Sequence, residues 1–474
     1  MIAMKYWHFS LFAHLLLAQL FFPASVRAIC TLKVSDDGRF LVFADGTPFY
    51  YQGDVAWELA TRLSREEVVE YFNDRASKKF SVVQLAAISG FSGAGTNFYN
   101  HRPCNRTAAE LLVTPGNDPG SAEAYDYWDH LDFIVDQAAA RSMFVAIEAA
   151  WHTHCSPDNA TKTVHQRNVE SFGKFLGGRY IDRTNVIWMI GGGAKGSELT
   201  QPAWKSFWKS LARGIVFGET GRTNHQSVLI GFHAGVGQRI PSELGSEDWI
   251  DFYSVGSGAG QARDADHAWR LIAEQYLQAP IKPVLDCQPI EEDISRAWGR
   301  SEDSDVRKAS YWGHFSGSFG HVYGHVSVSQ SYKQGLSGVD GVLLDWNEGL
   351  KASGSDQMRW LQQLSRSRPM LRRVPAPDLI FRPLQGGNRI VAAHGTDYLF
   401  VYSPHGLPFE LRMGKISGKT LKGYWFDPRN GSANAIGEFE NTGTLNFTPP
   451  TTGRGNDWVL VLDDIQSAYA RPGN

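Results

Sequence analysis

Cysteine is scarce: four residues in a chain of 474, and no two of them form a CxxC pair. That scarcity excludes a disulfide-dense small domain and the compact zinc modules. No GxSxG elbow occurs, which removes the usual serine-hydrolase signature. No GxGxxG follows the first strand candidate, so a dinucleotide fold has no support. The glycine run Gly191-Gly192-Gly193 is not completed into a phosphate loop by Gly-Lys-Ser or Gly-Lys-Thr. Charge of one sign is missing as well. Lys and Arg number 46 against 49 Asp and Glu, a formal charge of -3, which argues against a nucleic-acid partner. No apolar run is long enough to span a bilayer.

What is abundant is aromatic: 15 Trp, 17 Tyr and 27 Phe. Such a load fills a large core, and it also suits a cleft that stacks on sugar rings. The length accommodates one large domain and a smaller one. Residues 1–28 read as a signal peptide: Lys5 opens it, Phe9 to Phe22 is mostly apolar, and Val26 and Ala28 precede the expected cut. The chain is therefore expected to be exported, to the periplasm or beyond. All four cysteines, Cys30, Cys104, Cys155 and Cys287, survive cleavage, and a Cys104–Cys155 disulfide is the preferred pairing.

Residues 29–50 read as short hairpins around Asp36-Asp37-Gly38 and Asp45-Gly46. Eight strand candidates follow, at 49–53, 80–88, 143–150, 185–192, 227–234, 251–258, 282–287 and 322–328. Amphipathic segments separate most of them, at 64–79, 126–142, 165–179, 202–216, 264–279 and 304–319. The first opens with a capping box, Ser64 with Glu67. Eight alternating units predict a (β/α)8 TIM barrel over 29–375, including the N-terminal hairpin. From 376 to 474 helical periodicity disappears. Short strands punctuated by turns such as Asn430-Gly431 predict an antiparallel β-sandwich packed firmly on the barrel.

A barrel carries its chemistry at the carboxyl ends of its strands. Those ends supply Asp54 and Trp57, then Glu148 with Trp151 and His152, then Gly191 to Gly193 and Lys195. Further round come His233, Ser257, Asp286 with Gln288, and Tyr323 with His325. Glycosidic hydrolysis usually needs two carboxyl groups. Asp54, Glu148, Glu198, Asp286, Glu291 and Glu292 are the available acids. Asp286, ending an apolar run, is the strongest catalytic candidate, with Glu148 and Glu291 beside it. Asp54, Trp57, Trp151, His152, Gln288, Tyr323 and His325 form the expected sugar-binding set. The pattern calls for no metal and no cofactor; the expected ligand is an oligosaccharide or polysaccharide.

The blocks DGTPFYYQGDVAWEL (45–59), TRLSREEVVEYFNDRASKKFSVVQ (61–84), DRTNVIWMIGG (182–192) and KPVLD (282–286) occur in order. DVRKASYWGHFSGSFGHVYGHVSV (305–328), GKTLKGYWFDPRNGSANAIGEF (418–439) and DWVLVLDD (457–464) complete the series. Together they resemble the apiosidase-like glycoside hydrolases, family 140 and its relatives, over nearly the whole mature chain. The resemblance implies a (β/α)8 enzyme with a C-terminal β-sandwich that acts on plant pectin side chains. It also implies an aspartate acid/base in a Gly-Gly-Asp motif after the fourth strand, and a glutamate nucleophile in an Asp-Gly-Glu-Pro motif after the seventh. This chain reads Gly191-Gly192-Gly193 and Asp286-Cys287-Gln288-Pro289 at those places. Gly193 cannot donate a proton and the Gln288 amide cannot act as a carboxylate nucleophile. Three readings follow: a glycosidase whose carboxyl pair has moved, a polysaccharide lyase using a His or Tyr base, or a glycan-binding relative without turnover.

Overall fold

The computed structural model describes residues 32–89, 95–121, 123–224, 228–258 and 267–474. The signal segment 1–28 and Cys30 lie outside the described residues. Eight parallel strands form one sheet: β1 Tyr51–Val55, β2 Val82–Ala86, β3 Phe144–Glu148, β4 Val186–Ala194, β5 Ile230–Val236, β6 Phe252–Gly256, β7 Val284–Asp286 and β8 Gly320–Tyr323. Each strand pairs with the next in sequence from β1 to β7, and β8 pairs with β1. Between β7 and β8 the barrel is closed by a single bridge, Val284 to Ser318, with the Phe319 N–H donating to the Val284 carbonyl at 3.0 Å. The (β/α)8 architecture read from the sequence is the observed one. The eighth strand differs in place: Val326–Ser329 is a helical turn, because the His325 side chain accepts from the Ser327 N–H and caps it.

Helices α1 Arg65–Ser77, α2 Tyr127–Ala139, α3 Val169–Arg179, α4 Pro202–Thr220, α5 His267–Leu277, α6 Asp303–Phe315 and α7 Ser353–Arg366 surround the strands. After β5 only the single turn Ser242–Gly245 intervenes. The Ser64–Glu67 capping box forms at the start of α1. Because side chains alternate along a strand, the barrel has two apolar layers. Tyr51, Val55, Val82, Ala146, Met189, Phe252, Leu285 and Val322 fill the lumen, and the N-terminal hairpin adds Leu32 and Leu41 to the same cluster. Leu85, Ile147, Trp188, Ile230 and Val284 face outward and pack with Leu131, Phe172 and Ile215 of the helices.

Helices α3 and α4 meet at backbone contact. A Cβ placed on Gly177 would lie 2.0 Å from the Ile215 carbonyl oxygen, and one on Gly214 would lie 2.2 Å from that of Glu170. Gly173 and Gly218 are equally tight, at 2.5 and 2.2 Å. Small residues at four successive crossings are what let two helices approach this closely.

The C-terminal region forms two antiparallel sheets. The six-stranded one runs in the order Val374–Pro375, Val391–His394, Tyr398–Ser403, Trp458–Asp464, Thr420–Phe426, Ala433–Glu440. The three-stranded one comprises Ile380–Phe381, Phe409–Arg412 and Thr444–Phe447. Leu460 and Leu462 point into the sandwich with Val401, Leu411 and Trp425. Val459 and Val461, one residue out of phase, point at the barrel and pack with Tyr311, Trp312 and Phe315 of α6. Tyr311 stacks on Tyr402 at 4.9 Å, and a buried Arg307–Asp457 ion pair at 2.8 Å fixes the register of the interface.

The Cys104–Cys155 disulfide expected from the sequence is not formed: both residues are buried free thiols, as is Cys287. Their backbones belong to separate local ladders, Cys104 opposite Leu111 and Cys155 opposite Val164, and each thiol is packed where its ladder places it. Among the described residues no helix is long and apolar enough to cross a membrane.

Two predictions follow from this packing. Gly177→Ala should destabilise the fold by about 1–3 kcal/mol or more, because the obstructing atoms are backbone and cannot rotate away. At the neighbouring Gly178 a Cβ meets nothing nearer than 3.7 Å; when both variants are unfolded in urea, Gly178→Ala should be neutral or slightly stabilising. Burial raises Glu219 to about 7, against a hydrogen bond from the Trp188 indole at 2.8 Å. The folded chain thus holds a proton that the unfolded chain releases at lower pH, and this stabilisation is lost as pH rises through 7. Glu219→Gln should flatten the fall in Tm between pH 5 and 8.

Candidate active site

The strand pleat sorts the residues proposed from the sequence. Asp54 points outward from β1 into the helix layer, where it accepts from Tyr71 Oη at 2.6 Å and Arg75 Nε at 2.7 Å, all three side chains fully buried. Asp286 also points outward. Its Cβ faces Gly313 of α6, and its carboxylate accepts from the Ser257 N–H at 3.1 Å and the Ser257 hydroxyl at 2.5 Å. Burial raises it to about 6, with Ser257 and the Gln288 N–H opposing. Tyr323 lies in the outer layer too, donating to Glu292 at 2.7 Å, and Glu292 accepts in turn from the Gly354 N–H of α7. His325 is buried against the Ser327 hydroxyl at 2.9 Å. These four residues do not meet at the mouth of the barrel. Two positions along a strand separate inward from inward, so the acid that ends a strand can face either layer.

A different set does converge. Glu148, at the end of β3, turns into the lumen and takes a hydrogen bond with His233 Nδ1 of β5 at 3.0 Å. Burial pushes the Glu148 carboxyl up, with His233 and the Gly192 N–H opposing. His233 is fully buried; Cys287 is its other polar neighbour and, with Glu148, holds the imidazole well above its ordinary range against the opposing effect of burial. The Trp57 indole stacks on His233 at 5.8 Å with 16° between the planes, and Trp151 meets Trp57 edge-on at 5.1 Å. His152 follows on the rim, its Nδ1 3.1 Å from Glu198. The Lys195 N–H donates to the same carboxylate at 2.9 Å, and although burial opposes it, these bonds hold Glu198 below the usual carboxylate range.

The three glycines ending β4 have distinct reasons to be glycine. They form an irregularity in the β4–β5 ladder between Ile190 and Ala194, all with positive φ. A Cβ on Gly191 would lie 2.5 Å from the His233 carbonyl oxygen, and one on Gly192 2.4 Å from that of Ala150. At Gly193 the nearest atoms are Trp151 Cζ2 at 3.6 Å and His152 Cδ2 at 3.8 Å. The first two glycines are demanded by backbone packing, whereas the third faces a space that a side chain could enter.

On the other side of the mouth a cleft of about 400 Å³ is lined by Gln288 and Glu291, among others. Ser329 Oγ donates to Glu291 at 2.7 Å, and the Glu291 backbone carbonyl accepts from Ser301 Oγ. Burial, with Asp340 and Asp54 adding to it, raises Glu291 to about 7. Its side chain rests on Gly324, where a Cβ would lie 2.7 Å from Glu291 Cγ. The two sides share one rim. A Cβ on Gly235 would touch the Gly193 carbonyl, and the next residue, Val236, lies beside Gln288 in the cleft.

Of the residues expected from the sequence, Trp57, Trp151, His152, Glu148, Gln288 and Glu291 thus face the mouth, while Asp54, Asp286, Tyr323 and His325 do not. Sequence reasoning places His233 at a strand end but gives it no role. The signal was available in the alternation of β5, where Ile230, Phe232 and Ala234 face outward and His233 must face in. Among the described residues no group of three or more His, Cys, Asp or Glu side chains is arranged to hold a metal ion.

Comparison with known proteins follows the same lines. A crystal structure of a glycoside hydrolase family 5 protein from Bacteroides vulgatus superposes with a TM-score of 0.82 at 29% identity, covering 93% of this chain and 95% of that one. A second structure, titled only as a glycoside hydrolase, gives 0.79 at 29% identity over 92% and 97%. A further Bacteroides vulgatus structure, titled as a "putative glycoside hydrolase", shares the fold, with a TM-score of 0.63 at 15% identity over 93% and 83%. No curated relative matches the chain. Residues 374–463 match a family described as "Putative collagen-binding domain of a collagenase". Residues 35–372 match the family model for the apiosidase-like catalytic domain, and the chain belongs to that family.

Proposed function

We propose that this protein is an exported glycoside hydrolase acting on an oligosaccharide or polysaccharide through a relocated carboxyl pair, Glu291 and Glu198. The observation that carries this reading is Glu291: a partly buried carboxyl lining the mouth cleft, raised to about 7, and therefore able to hold a proton at neutral pH. Glu198 is its complement across the rim. The bonds from His152 and the Lys195 N–H keep it charged, as a base or nucleophile must be. Two carboxyl groups pushed apart in acidity are the pattern that acid/base assignment looks for.

The other mouth residues take supporting roles. Trp151 presents ring surface to the sugar, backed edge-on by the buried Trp57, and His152 and the Gln288 amide offer hydrogen bonds to its hydroxyls. Glu148 is too deeply buried to meet the scissile bond and acts by fixing His233 under Trp57. Asp286, outward and bonded to Ser257, holds the β6–β7 strand ends together. Export rests on the character of residues 1–28.

Glu291→Gln should lower kcat on a responsive glycan by about 10²–10⁴-fold, as loss of a general acid does, with KM little changed. Because Glu291 acts while protonated, turnover of the unaltered enzyme should fall as pH rises through 7; the low-pH limb should belong to Glu198, and Glu198→Gln should itself lower kcat by a comparable factor. Sugar binding without turnover across a broad panel of glycosides and polysaccharides would overturn the reading. A separate expectation concerns the vacated positions. Gly193→Asp with Gln288→Glu should raise turnover, since a side chain at 193 meets only ordinary contacts and aspartate tolerates positive φ better than most residues.

A further inference from the structure

Glu291, the proton donor of the reading proposed above, can give its proton to a substrate only from the carboxyl oxygen that faces the cleft. Oε2 faces the protein, where the Ser329 hydroxyl donates to it at 2.7 Å. Among the described residues no hydrogen bond reaches Oε1, and the carboxyl lines the cleft with Gln288 and Val236. A neutral carboxyl can carry its proton on either oxygen. Something must therefore place that proton on the cleft side.

The hydroxyl proton of Ser329 supplies the bias. With the acid proton on Oε1, the serine proton bonds Oε2 at an ordinary O–H···O length. With the acid proton on Oε2, the serine oxygen must accept, and its own proton must go elsewhere. Its other acceptor is the Val326 carbonyl, 3.3 Å away and already taken by the Gln330 amide at 2.9 Å. That separation lies beyond the roughly 2.5–3.0 Å of a good hydroxyl bond. Nor can Ser329 turn to a new partner. It is 2% exposed. Its N–H bonds the His325 carbonyl at 2.9 Å, and its own carbonyl accepts from the Glu58 N–H at 3.3 Å. The helical turn Val326–Ser329, standing where the sequence pattern reads strand, thus has a use: capped by His325, it holds Ser329 against the acid.

We propose that Ser329 is the positioning residue of Glu291, occupying Oε2 so that the proton sits on Oε1, toward the glycosidic oxygen. As the bond from the anomeric carbon to the departing oxygen breaks, its electron pair stays with that oxygen, which takes the Oε1 proton. The carboxyl becomes a carboxylate, and a hydrogen bond to a charged acceptor is stronger than one to a neutral acid. The serine bond therefore strengthens towards the transition state, which is the condition for it to raise the rate. Water supplies the hydroxyl at the anomeric carbon and returns a proton to the carboxyl pair. The charged neighbours act differently. Asp340 and Arg296, paired at 2.9 Å on the cleft wall, and Asp54 in the helix layer bear on the charge of the whole carboxyl. Ser329 is the group that distinguishes its two oxygens.

Ser329→Ala should lower kcat about tenfold or more with KM held within about threefold. It should also raise the pH at which turnover falls by about 0.5–1 unit, because the carboxylate loses a donor that favours it. Ser329→Thr, which keeps the hydroxyl, should recover most of both changes. A fall in kcat with the pH limb unmoved marks a packing defect and would overturn the proposal, as would an unchanged kcat. The bond can also be read without substrate. In an infrared titration of the full chain, the Glu291 carboxyl band is identified by its loss in Glu291→Gln. That band should titrate at higher pH in Ser329→Ala than in the unaltered chain. An unshifted band overturns the role of Ser329 even where glycosides are turned over. A shifted band with no glycoside turned over overturns the hydrolase reading and leaves the placement of the proton standing.

Discussion

The pleat of eight parallel strands closed on themselves governs what every polar residue in this barrel can do. Successive side chains point to opposite faces, and closure turns the two faces into two sealed compartments, a lumen and a strand–helix layer. A residue's phase along its strand therefore decides whether it meets ligand or scaffold. Tyr51 and Val55 lie in the lumen, so Asp54 between them is committed to the helix layer. Leu285 and Cys287 lie in the lumen, so Asp286 is committed to α6. Glu148 shares its phase with Phe144 and Ala146 and enters the mouth.

The outward acids show how such a compartment tolerates charge. Asp54 is met by Arg75 and Tyr71, Glu292 by Tyr323 and the Gly354 N–H, and Asp286 by both hydrogen-bond donors of Ser257. A buried carboxylate without such partners would be expensive enough to neutralise instead. The networks link a strand to its covering helix or to the next strand, so they act as positional pins between layers. The same logic recurs at the domain junction. Arg307 and Asp457 join α6 to the sandwich, flanked by stacked aromatic rings, and make the second domain an extension of the barrel wall.

At the mouth the chemistry is divided between two sides of one rim. One side is aromatic and holds a charged carboxylate, Glu198, beneath His152. The other mixes aliphatic and polar side chains and holds an acid near neutrality, Glu291. Between them the glycine turn at 191–193 lets β4 and β5 approach at backbone distance, and only its last residue borders open space. The positions where the family resemblance implies its acids are thus occupied by a glycine in an open site and an amide in a cleft.

The sequence by itself determined the number and order of the barrel units, the change to β-structure after the barrel, the Ser64 cap and the family. These are local or additive properties: hydrophobic period, turn residues and ordered blocks of similarity are written along the chain. It also named the six residues that meet at the mouth, because strand ends are readable as the last residues of apolar runs. Which of two adjacent residues faces inward was not readable from the run alone. A shift of one position sent Asp54, Asp286 and Tyr323 to the other compartment, and it brought in His233, whose neighbours in space come from β3 and from the segment just after β1. Only the tertiary structure decided that Cys104 and Cys155 stay apart, that Glu291 is raised towards neutrality and that Glu198 stays charged. Burial, pairing and acidity depend on which segments pack together, and no stretch of the chain carries that information alone.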